Sequence, residues 1–145
     1  MTTFDPTVYP PAIVELLREP WVPPLDAGQP NQAIRALLEA LDTDSAFAPH
    51  RVRDQGMADA CRAGLWLYYN FLDEAHAISQ ELHTPTGSYW HAILHRCEPD
   101  FDNAKYWFRQ VGEHPVYEAL RRAAADLAAD APSAAAFLRT QTAWE

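Results

Sequence analysis

An all-α fold is predicted by three features of this chain. Apolar residues recur at helical spacing from Asn31 onward. No run shows the strict alternation of a half-buried strand, and proline, glycine and capping residues punctuate the helical runs. The architecture expected is a compact bundle of about six helices arranged as antiparallel hairpins, with a proline-rich N-terminal arm (residues 1–30) on a helical body (residues 31–145) in one domain.

The arm comes first. Seven of the twelve prolines fall in the first thirty residues, and proline fixes φ and removes a donor, so this segment is not one long helix. A short helix fits from Ala12 to Arg18. The remainder is expected to be extended and held down by Tyr9, Trp21, Val22 and Leu25. Ala33, Leu37, Leu38 and Leu41 then form one stripe, which ends at the Asp42–Ser45 cluster. A long helix is predicted from Val52 to Asn70, with Met57, Ala60, Cys61, Gly64, Leu65 and Tyr68 on its buried side. Leu72, Ala75, Ile78 and Leu82 mark the next.

Thr84 to Ser88 reads as a turn, with Thr86 or Ser88 capping a helix from Tyr89 to Cys97. Glu98-Pro99-Asp100 ends it, because a residue before proline leaves the α region. Asp102 is expected to cap a helix over Asn103–Val111 whose buried stripe is Ala104, Trp107, Phe108 and Val111. Gly112 suits its C-terminus and Pro115 the first turn of the next helix, through Leu120, Ala123 and Leu127. Asp130 to Ser133 separates a last helix, Ala134–Thr140.

Charge and cysteine content narrow the function classes. The formal net charge is −9, with 20 acids against 11 bases. Such a chain repels phosphate backbones and anionic membrane surfaces, so neither nucleic acid nor membrane is an expected partner. Cys61 and Cys97 are too few and too far apart for a disulfide framework. Met1–Pro11 lacks the basic and apolar stretches of a signal peptide, and a cytoplasmic location is expected.

Two segments share a hairpin pattern. Ala63, Trp66, Ala75 and Leu82 have the same mutual offsets as Ala92, His95, Ala104 and Val111. Small residues at these positions let antiparallel helices approach, which is a weak tetratricopeptide-like signature.

The stretch from Ser88 to Pro115 is densest in chemistry. His91 and His95 lie one turn apart on one helical face, opposite Trp90, Ile93, Leu94 and Cys97, and such a pair can share a divalent metal ion. His76, His114, Glu98 and Asp100 are candidates for a third ligand. Ala92 stands where the His-Glu-x-x-His proteases need glutamate, so that class is excluded. The plainer alternative is that both histidines hydrogen-bond acids or carbonyls at a helix contact.

Arg96, Glu98, Asp100 and Lys105 surround the pair, and a histidine beside a carboxylate can move protons. Trp66, Tyr69 and His76, near the corresponding turn of the other hairpin, are expected to complete an aromatic, acid-lined pocket for a small molecule or protein partner. Neither a nucleophile elbow nor a glycine-rich phosphate loop is present.

Leu72–Val116 resembles an uncharacterised family of bacterial proteins. The resemblance rests on His91, His95, Arg96, Glu98 and Asp100, then Asn103–Phe108, then Gly112, His114 and Pro115. It implies that the histidine–acid cluster is a site and implies no activity. Two function classes follow: a ligand- or protein-binding module with a pocket lined by histidine and acids, and a metal-dependent or acid–base enzyme centred on His91 and His95.

Overall fold

A computed structural model describes residues 8–128 and 131–140. The N-terminal stretch through Thr7, with Pro6, and Asp130 of the last interhelical turn lie outside the described residues. Every regular element among the described residues is helical. By its internal contacts the chain divides after Gly112 into two units.

In the larger unit, α1 (Pro11–Leu16) starts on proline and buries Ile13 and Leu16. The segment after it is extended and fastened by polar bonds. Trp21 donates its backbone N–H to Tyr68 Oη at 3.2 Å, and that hydroxyl donates to the Trp21 carbonyl at 2.6 Å. The Asn70 amide donates to Ala27 O, and Asn31 N–H donates to Tyr69 O at 3.0 Å. Of the four expected anchors, only Trp21 packs against the core. Tyr9, Val22 and Leu25 are exposed, so backbone-directed hydrogen bonds hold the arm where apolar burial was predicted.

A single 3₁₀ turn leads into α2 (Arg35–Glu39), followed by α3 (Thr43–Phe47). The Asp42–Ser45 cluster does not end helical structure. Asp42 accepts from Ser45 N–H at 2.7 Å and begins α3, because an N-cap serves as a start signal as readily as a stop.

Four longer helices make two hairpins: α4 (Gln55–Tyr68) with α5 (Leu72–Ser79), and α6 (Pro85–Cys97) with α7 (Phe101–Val111). The residues between α4 and α5 turn through Asn70 at φ 65°, a left-handed conformation that asparagine tolerates. The buried side of α4 is Ala58, Ala60, Ala63, Gly64, Trp66 and Leu67, which keeps Ala60 and Gly64 of the predicted stripe, leaves Leu65 and Tyr68 partly buried against the core, and corrects the remaining two positions. Met57 and Cys61 are exposed. The side carrying Trp66 wins because its ring meets Phe71 edge-on at 5.2 Å between centroids, while Arg35 lies 5.9 Å from the Trp66 centroid.

Two caps differ from the sequence expectation. Thr84 caps α6 by accepting Gly87 N–H at 3.1 Å, so the segment expected as a turn is the helix's first turn. Asp100, not Asp102, caps α7, accepting Asn103 N–H at 3.2 Å. In each case the first suitable oxygen upstream of the helix takes the free donor. Gly112, at φ 62°, ends α7 as expected.

Helix α6 packs against α4, α5 and α7, which explains its burial on opposite sides. Leu94 joins the core with Leu16, Leu38, Trp66, Tyr69 and Phe71, while the polar face of His91, His95 and Ser88 is also covered. The second unit contains α8 (Val116–Leu127) and α9 (Pro132–Thr140), which pack on each other. No described helix is long and apolar enough to cross a membrane.

Candidate metal centre

Three histidines converge from two helices. One turn of α6 separates His91 from His95, whose rings stack at 4.7 Å between centroids. From α5, His76 meets His91 edge-on at 4.7 Å and His95 at 5.6 Å. One ring nitrogen from each lies within 4.8 Å of the others. His91 and His95 are only 3% and 7% exposed, and His76 is half-buried at the edge of the group.

Each ring is held differently. His95 Nδ1 lies 2.8 Å from Glu98 Oε2, and Nε2 lies 3.1 Å from Asn103 Nδ2. A carboxylate only accepts, so Nδ1 carries the proton; a neutral His95 then presents the Nε2 lone pair to the Asn103 amide. His91 stacks on Trp107 of α7 at 4.0 Å and 18°. Its Nδ1 is buried with no hydrogen-bond partner. Burial, with lesser contributions from His95 and His76, pushes the His91 pKa down to about 4. This imidazole is therefore neutral at physiological pH, the form in which histidine ligates metal.

The sequence-predicted site residues divide on this geometry. His76, His91 and His95 come together, with Glu98 attached to His95. Asp100 is occupied in capping α7, and Lys105 pairs with Asp102 at 3.1 Å on the surface. Arg96 is exposed on α6. His114 belongs to the smaller unit, where its Nδ1 accepts Val116 N–H at 3.2 Å. Trp66 and Tyr69 are core residues, and the Tyr69 hydroxyl donates to the Leu16 carbonyl. They do not line a pocket with the histidines, because Trp66 packs on Phe71 and Tyr69 on Trp21 of the arm.

Asn103 and Trp107 were not singled out from sequence as site residues. Their i,i+4 spacing on α7 was the available signal, since a hairpin folding α7 onto α6 brings that face to the histidines. Compared with known protein families, curated proteins and solved structures, the chain matches none of them.

Three imidazoles with no carboxylate among them suit borderline transition metals such as zinc, iron or copper, and do not suit magnesium or calcium. Imidazole nitrogens on one tetrahedral ion lie about 3.4 Å apart, given metal–nitrogen bonds near 2.05 Å.

Proposed function

We propose that this protein binds one divalent transition-metal ion through His76, His91 and His95. The observation that carries this reading is the buried, unpartnered His91 Nδ1 within a three-imidazole cluster. A buried polar atom without a partner is costly, and a bound cation would satisfy the cluster as a whole. Glu98 supports the same reading, because a carboxylate on the far nitrogen of a ligating histidine fixes its tautomer and raises its basicity.

Three protein ligands leave a position for a further ligand, as in catalytic rather than closed structural sites. The metal-dependent enzyme is therefore the better supported of the two enzyme readings. Both enzyme readings need the His95 Nε2 that Asn103 holds, and the convergence of three imidazoles, which an acid–base dyad does not require, favours the metal. The paired hairpins, with Ala63, Ala75, Ala92 and Ala104 all buried, support a two-unit, tetratricopeptide-like scaffold for the centre. Two free thiols and the acidic charge support a reducing, cytoplasmic setting without nucleic acid.

The test is metal analysis of the untagged protein after chelation and reloading with zinc, cobalt or copper. One equivalent is expected, with quenching of Trp107 fluorescence by copper that Trp107→Phe abolishes. The His91→Ala/His95→Ala double variant and the single His76→Ala variant should lose the ion while keeping the helical circular dichroism signal. A folded wild-type protein that takes up no ion, or variants that retain it, would overturn the reading.

A further inference from the structure

The opposite side of α6 carries a separate cavity, and we propose that it binds a small monocarboxylate with an apolar body. The inference does not depend on the metal centre. The cavity, about 250 Å³, lies between the arm and the two central helices. Its walls are Pro24 and Leu25 of the arm, Gly64 and Leu67 of α4, and Trp90 and Ile93 of α6.

The cavity follows from specific packing. At Gly64 a Cβ would stand 2.7 Å from Trp90 Cζ2, so the indole occupies the place of a side chain on α4. The arm crosses above, fastened at Trp21 by Tyr68 and at Ala27 by Asn70. Between these ties Leu25 lines the cavity yet is 89% exposed, an apolar surface that an apolar ligand would cover. The volume lies just below the range of about 300–1,000 Å³ typical of small-molecule sites, which limits the body to a phenyl ring with a short chain or an equivalent alkyl group.

Charge selects the head group. Arg96 lines the same cavity, is exposed, and forms no ion pair with a described residue. The two acids whose charges are felt at neighbouring Cys97 form no ion pair with Arg96. Glu98 bonds His95, and Asp26 accepts Gly28 N–H at 3.1 Å. A single guanidinium forms the two parallel bonds that a carboxylate offers, whereas a phosphate group usually demands several donors and the remaining walls are largely apolar. An apolar cavity with one unpaired cation at its edge therefore complements a carboxylate with a hydrophobic body.

The experiment titrates the full-length, chelator-treated protein with hydrocinnamate, with hydrocinnamyl alcohol and with acetate. Calorimetry gives affinities, and the indole resonances report contact at Trp90. Hydrocinnamate should bind about fivefold or more tightly than the alcohol, with acetate weakest, and should shift the Trp90 indole signal. Arg96→Gln should bring acid and alcohol to equal affinity. Leu25→Asp, at an exposed position that leaves the fold intact, should weaken hydrocinnamate more than the alcohol. Loading the protein with zinc should change none of these affinities, which separates this site from the metal centre. Equal binding of acid and alcohol by the wild type, indifference to Arg96→Gln, or no Trp90 shift at saturation would each overturn the proposal.

Discussion

His91 concentrates the chemistry of the site, because burial and two neighbouring imidazoles disfavour its charged ring. Burial, His95 and His76 all push its pKa down, to about 4 against an ordinary 6.5. Between those values the unfolded chain binds a proton that folded His91 refuses. Stability is therefore full above about pH 6.5 and falls as the pH drops toward 4. In chelated protein, urea melts at pH 7 and near pH 4 should differ by about 2 kcal/mol from this group, less than the full shift implies because half-exposed His76 admits solvent. His91→Leu should remove that share of the pH dependence. Glu98 acts through His95 as a positioning residue: Glu98→Ala should weaken zinc binding roughly 10–100-fold, and Glu98→Gln should recover part of it by keeping an acceptor. Competition titration against a zinc indicator measures both. At this scale the sequence was informative about the pair and offered the third member, His76, only as one of four candidates. His91 and His95 share a face by spacing alone, but His76 joins them only through packing between helices.

Among the elements, α6 illustrates how local signals combine and compete. Proline at its first position and threonine before it are start signals, while the glycine two residues later argues for a turn, and the helix resolves that conflict. Thr84→Ala should cost about 1 kcal/mol in a chemical melt, since it strips the partner from Gly87 N–H. The contact between α4 and α6 is closer than apolar spacing can reveal. Gly64→Ala places a Cβ against the Trp90 ring and should cost about 1–3 kcal/mol, although alanine is the better helix former. The same melt decides between those two effects. Helix α4 shows the limit of periodicity from the other direction. Two stripes were available on it, one through Met57 and Cys61 and one through Ala63 and Trp66. Which of them is buried depends on Phe71 and Arg35, residues outside the helix.

For the molecule as a whole, binding at the histidines is linked to folding of the larger unit, because His76 and the His91–His95 pair come from different hairpins. Zinc held at a hundredfold excess over its dissociation constant should stabilise that unit by about 2.7 kcal/mol. This corresponds to a rise of roughly 10–15 °C in the melting transition of a unit of that size, and the His91→Ala/His95→Ala variant should show no rise. Differential scanning calorimetry with and without zinc measures the effect. By itself the sequence determined that the chain is helical, where its longer helices run to within a few residues, and that two histidines share one face, because periodicity and capping are local properties of the chain. Tertiary structure alone decided that this polar face is covered, that His76 meets it, that Trp66 and Tyr69 belong to the core, and that a cavity opens beside Trp90. Those outcomes depend on which of a helix's surfaces its neighbours cover. That choice is made by contacts between residues far apart in the chain, which the spacing within a single helix does not encode.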